Sequence, residues 1–219
     1  MRSLQLFLLF AVITVSVTPV QAQSNRDGSM PQYLFPAFSQ SIILFKTGEK
    51  RSSVMNFNTV TEKLVFVSDK KYYDLMNPEA IDTIYLNGCK FIPVGKTFYE
   101  VLLTGPVSLF IQHKGNLLEK GVPVGYGGTS QLAKSVYVTN YNSDGLLSNL
   151  ELPEEFDVNI STVFWIRRND EWFDFTTEKQ YLQFFPDKAG QIKKFIKEFR
   201  LRIDRKDDLI RIVKYTISI

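Results

Sequence analysis

One cysteine and one histidine are all that the 219 residues offer of the side chains most used for disulfides, zinc and nucleophilic catalysis. Cys89 alone cannot close an internal disulfide, so packing must hold the fold together. Neither Cys89 nor His113 can build a Cys-rich or multi-histidine metal site, and no cofactor is expected. The sequence has no internal repeat and no low-complexity segment. Beyond the first 22 residues it also lacks any apolar run near the roughly 20 residues that a membrane-spanning helix needs. Charge of one sign is scarce too: 26 Lys and Arg face 23 Asp and Glu, a formal net charge of +3, or +2 without Arg2. A balance so near neutral names no partner. Without an aromatic stacking motif among basic residues, nucleic acid is not expected as a ligand.

What is present begins with a leader. Arg2 precedes an apolar or small run over residues 4–17, broken only by Gln5, Thr14 and Ser16 and closed by Thr18 and Pro19. That order of charged, apolar and polar regions is the order of a secretory signal, and Val20 and Ala22 suit the positions read by a signal peptidase. Cleavage is expected after Ala22, and no cysteine near the cut argues for a lipid anchor. Residues 1–22 are thus read as a signal peptide and residues 23–39 as an N-terminal segment containing a linker at 24–31. Residues 40–219 are read as one β-rich domain with helices from about Thr177. A mature chain of about 200 residues suffices for one well-buried core. Its 18 Phe, 10 Tyr and 2 Trp favour pleated sheets.

From Gln40 to Phe175 short apolar and β-branched runs alternate with turn residues, as in an antiparallel sheet. Strands are expected at residues 42–45, 64–67, 84–86, 90–92, 99–103, 107–111, 135–139, 162–166 and 172–175. Asn87-Gly88 tolerates the positive φ angles of a two-residue hairpin, and Asn169-Asp170 marks a second such turn. After Phe175 the period changes. Thr177 and Gln180 form a capping-box pattern opening a short helix. Pro186 and Asp187 open another, with Ile192, Phe195, Ile196 and Phe199 as one apolar stripe, and a third is expected from Asp207 or Asp208. The fold class is therefore α+β: a mainly antiparallel sandwich or curled sheet of nine or ten strands, with two or three C-terminal helices on one face.

Candidate chemistry is thin. His113, beside Lys114-Gly115, is expected in a turn after a strand, while Cys89 is expected as a buried, inert thiol. A Cys89 and His113 dyad would be needed for a thiol hydrolase. Glu151, Glu154, Glu155 and Asp157 have the composition of a paired-acid glycosidase site, but Pro153 and polar neighbours place them on an exposed loop. Gly125-Tyr126-Gly127-Gly128-Thr129-Ser130 lacks the spacing of a phosphate loop. Residues 188–214 hold ten Lys or Arg against Glu198, Asp204, Asp207 and Asp208. Within that segment Lys193, Lys197 and Arg200 are read as one basic helix face, suited to anionic lipid headgroups, lipopolysaccharide phosphates or an acidic protein.

Several runs carry a resemblance: Tyr33-Leu34-Phe35-Pro36-Ala37-Phe38, Ile43-Leu44-Phe45-Lys46-Thr47-Gly48, Met55-Asn56-Phe57-Asn58 and Gly105-Pro106-Val107-Ser108-Leu109-Phe110. With residues 125–131 and Phe184-Phe185-Pro186-Asp187, they resemble an uncharacterised family of exported β-rich proteins of Bacteroidetes. The resemblance implies a Gram-negative envelope setting, in the periplasm or on the outer-membrane surface. In that setting Asp82-Thr83-Ile84 is similar to a three-residue O-glycosylation site. The expected function is a non-catalytic envelope module binding a protein, glycan or lipid partner. The alternative is a secreted hydrolase using the acidic cluster or the Cys/His pair.

Overall fold

Tight turns at residues that tolerate positive φ build the sheet from local hairpins. Strands β1 (Ser39–Phe45), β2 (Lys50–Asn58), β3 (Lys63–Ser68) and β4 (Lys71–Asp74) form one antiparallel meander. Strands β5 (Ile81–Leu86), β6 (Cys89–Val94), β7 (Thr97–Leu103) and β8 (Ser108–Glu119) form a second. Asn87 and Gly88, with φ of 49° and 75°, make the expected two-residue turn between β5 and β6. The structure, a computed structural model, describes residues 30–119 and 156–219. It also describes the short strands β9 (Pro123–Val124), β10 (Gly128–Thr129) and β11 (Ser135–Val136). The expected leader, and the remainder of the strand expected at 135–139, lie outside the described residues.

Pairing of β1 with β5 joins the two meanders edge to edge. On the other side β8 pairs with β12 (Phe156–Arg168), and β12 pairs with β13 (Glu171–Phe175). The order is β13-β12-β8-β7-β6-β5-β1-β2-β3-β4, antiparallel throughout and not closed, with β11 beside the far end of β8. This is the expected α+β class in its curled-sheet form.

From β13 to β1 one face of the sheet is mostly apolar. Directly opposed residues share a face, so one row runs Phe175, Phe164, Ile111, Glu100, Phe91, Ile84, Ile43. Every member is buried. On the β1–β7 side the sheet curls around its own core of Met55, Phe57, Leu64, Phe91 and Phe98, among others. The curl brings the β2–β3 turn back to β7 and β8. Thr97 Oγ1 donates to the Glu62 carbonyl at 2.8 Å, and the Gly115 amide donates to the Thr59 carbonyl at 2.8 Å.

That contact corrects the placement of His113. Lys114-Gly115 is not a turn: β8 continues through it to Glu119, and His113 is buried on the core-facing side of the strand. Gly115 is there for clearance, since a Cβ would come within 2.5 Å of Thr59 Oγ1 and 3.0 Å of Val60. The N-terminal segment also departs from a linker once it reaches Gln32, whose carbonyl accepts from Thr59. Tyr33 bridges to Asn58, and the buried Asn56 side chain both donates to and accepts from the Phe35 backbone.

The other half of the apolar face is covered by α1 (Glu178–Phe184), α2 (Ala189–Glu198) and α3 (Lys206–Ser218). The capping box at Thr177 and Gln180 is formed. A 3-10 turn, Pro186–Lys188, precedes α2, which therefore begins later than Pro186 suggests. Ile192, Ile196, Leu209, Ile212 and Val213 pack on Val107, Leu109, Ile111, Phe164 and Ile166. Phe199 departs from the expected stripe: α2 ends at Glu198, and Phe199 is 49% exposed.

Candidate functional site

Glu100 is the single polar member of the apolar row across the sheet, and the residues around it form the most chemically loaded cluster described. The alternation of β7 points Phe98 and Glu100 inward together. His113, two residues beyond Ile111 on the same face of β8, donates its Nε2–H to Glu100 Oε2 at 2.7 Å. From the first residue of α3, Lys206 Nζ donates to both carboxylate oxygens at 2.8 Å. Cys89, on the Phe91 face of β6, lies near enough to feel the charge of the same carboxylate. Phe57 and Phe91 pack against the imidazole.

The electrostatics follow from that geometry. Burial alone would push the Glu100 carboxyl up, but hydrogen bonds from His113 and Lys206, with the Lys206 charge, hold it down at about 2. Burial pushes the Cys89 thiol up, and the Glu100 charge adds to it; Lys206 opposes, and the result is about 11. Near neutral pH the cluster therefore holds an ionised carboxylate and a protonated thiol. A protonated thiol is a poor nucleophile.

The two sequence candidates both lie near one carboxylate: His113 is hydrogen-bonded to it, and Cys89 feels its charge. Cys89 itself is half-buried rather than fully buried. Glu100 and Lys206 were invisible as partners because 106 positions separate them. The available signal was a lone acid at an inward position of a strand. Of the acidic cluster, Asp157 lies exposed on β12, and Glu151, Glu154 and Glu155 lie outside the described residues. In the Gly125 to Ser130 segment, Gly128–Thr129 pairs with Pro123–Val124 and the rest is outside. Thr83 is 3% exposed, with its hydroxyl donated to Asp82 at 2.9 Å, so the folded chain does not offer it to a glycosyltransferase.

Lys193 and Lys197 are exposed one turn apart on α2, while Arg200, also exposed, falls outside the helix. It lies beyond the helix end with φ 51°. The Leu201 amide donates to the Ile196 carbonyl and the Arg200 amide to Lys197, while Leu201 and Ile196 are both buried in the core. That is a Schellman motif with arginine where glycine is the usual occupant. Arg200→Gly is expected to stabilise the fold by about 1 kcal/mol, because glycine adopts this backbone without a Cβ penalty. Urea denaturation of the two proteins measures it; an unchanged or lower midpoint would refute the assignment.

Between α2 and α3 runs an open groove of about 380 Å³ lined by Gln191, Lys194, Phe195, Glu198, Phe199 and Tyr215. Phe195 stacks on Tyr215 with ring centroids 4.0 Å apart, and Arg211 lies over the Phe199 ring at 5.7 Å. The opposite face of the sheet carries aromatics as well. Trp165 donates to Gln112, which donates to Glu62, and Arg167 lies over Phe110 and Trp172. Burial pushes the Tyr99 hydroxyl there up to about 12, with Glu62 and Asp174 adding to it. Compared with protein-family models, with curated proteins and with solved structures, the chain matches none of them.

Proposed function

We propose that the protein is an exported, non-catalytic module of the cell envelope that binds a partner through its surface. Export rests on the leader pattern of residues 1–22. What supports a binding rather than a catalytic role is the closed state of the Glu100 cluster. The carboxylate is engaged by Lys206 and His113, and the thiol stays protonated. A thiol hydrolase needs the reverse arrangement, in which a base lowers the thiol and leaves it facing substrate.

Alkylation of Cys89 by iodoacetamide tests this. A thiol held near 11 instead of its ordinary 9.0 carries about 100-fold less thiolate at pH 8. The native protein is expected to react at least that much more slowly than the urea-unfolded chain. Native and unfolded rates within a few-fold of each other would show an ionisable thiol and restore the hydrolase.

A further inference from the structure

We infer that the outward face of the α2–α3 pair docks on a lipid leaflet bearing anionic headgroups, an inference that rests on the binding-module reading and names its partner. The two helices run antiparallel, with Phe195 on Tyr215 and Phe199 beneath Arg211. On a 3.6-residue helix this geometry points Lys194 and Lys197 away from the core side of α2, which carries Ile192 and Ile196. Arg211 and Lys214 point away from the Leu209, Ile212 and Val213 side of α3. All four cations are exposed, Lys194 lines the groove and Arg211 lies over its Phe199 ring. The ion pairs described in this region, Arg202 with Asp204 and Lys206 with Glu100, engage none of them. Of the acids, Glu198 lines the groove, Asp208 accepts from the Arg202 amide, and Asp207 sits in the first turn of α3.

Charge complementarity alone would also suit an acidic protein. The apolar side chains decide for lipid. Phe199 stands exposed among the cations, and Ile217 and Ile219 are exposed at the end of α3. Aromatic and aliphatic groups level with lysine and arginine match a membrane interface, where rings enter the acyl boundary while ammonium and guanidinium groups stay with phosphates. The face therefore differs from the Lys193, Lys197 and Arg200 set read from sequence. Lys197 belongs to both, but Arg200 is held in the helix cap, and Arg211, Lys214 and Phe199 complete the surface.

The test is co-sedimentation of the mature chain with vesicles of phosphatidylcholine, with and without phosphatidylglycerol. Binding is expected only to the anionic vesicles and should weaken as salt shortens the Debye length. The K194E/R211E/K214E variant should lose at least about 30-fold in partitioning. Phe199→Ala should lose several-fold, and K194Q/R211Q/K214Q should fall between wild type and the reversal. Thermal melts of each variant must match the wild type. Anionic binding unchanged in a folded reversal variant overturns the docking face. If no vesicle is bound, but cross-linking in the native envelope captures an acidic protein at Lys194, lipid docking fails and the binding module stands. If no vesicle is bound and no partner is captured, both fall.

Discussion

A chain ending at Phe175 is expected to be unfolded or aggregated. The three helices deliver Tyr181, Phe185, Ile192, Ile196, Leu201, Leu209, Ile212 and Val213 to a core whose other wall is the sheet. Burial of each such side chain contributes about 1.5–3 kcal/mol, while a whole domain retains only about 5–15 kcal/mol net. Losing the layer would also bare Val107, Leu109, Ile111, Phe164 and Ile166 to water as a contiguous apolar surface. Within that layer the buried Tyr181 hydroxyl donates to Thr216 at 2.8 Å, and Thr216 donates to the Ile212 carbonyl, which ties α1 to α3. Circular dichroism and gel filtration of the truncated chain check the point. A monomer melting with the full-length midpoint would mean that the helices are an accessory and not a layer of the fold.

Glu100→Gln is expected to cost about 3 kcal/mol at pH 7, because it removes one partner of a buried charge network and leaves Lys206 and His113 facing a neutral amide. The effect has a sign in pH. Glu100 is held at about 2 against an ordinary 4.5. Its contribution is therefore fully present above about 4.5 and is lost as pH falls toward 2. The wild type should lose stability across that window, and the Gln variant should lose less, so the two should converge at low pH. Urea midpoints at pH 7, 4 and 2 measure it. A gap between the proteins that stays constant from pH 7 to pH 2 would show that the carboxylate charge is not what matters. The solvent exposure of Lys206, 47% at its side chain, moderates the size of the effect rather than its direction.

The parts of the fold legible in the sequence were those encoded within a few residues. Asn87-Gly88 and Asn169-Asp170 can take positive φ, so both hairpins were legible from the pairs themselves. Thr177 and Gln180 announce a helix start three residues apart. Contacts distant in sequence were hidden. Gly115 looks like a turn because its function, clearance for Thr59, depends on the β2–β3 turn more than fifty residues earlier. With it went the position of His113, and hence the link between His113 and Glu100. Arg200 concealed the end of α2 because a Schellman cap is announced by glycine, and here the buried pair Leu201 and Ile196 holds the geometry without one. The cluster around Glu100 joins β6, β7, β8 and α3, and no local spacing encodes it.

The edge-to-edge joint of the two four-stranded meanders has a consequence for how the chain finds its structure. Within each meander every pairing links neighbours in sequence, so closing each hairpin costs little loop entropy. Two seams ask distant segments to meet: β1–β5, where Ile43 meets Ile84 roughly forty residues on, and β8–β12, where Ile111 meets Phe164 roughly fifty residues on. The slow step belongs to these seams, and with it the transition state. Ile43, Ile84 and Ile111 are positions where trimming a methyl group should retard folding rather than hasten unfolding. Equal trimming at Val65, inside the first meander, should chiefly release the native state sooner. A chain built this way has two rendezvous to keep, and their timing sets how fast the sheet is completed.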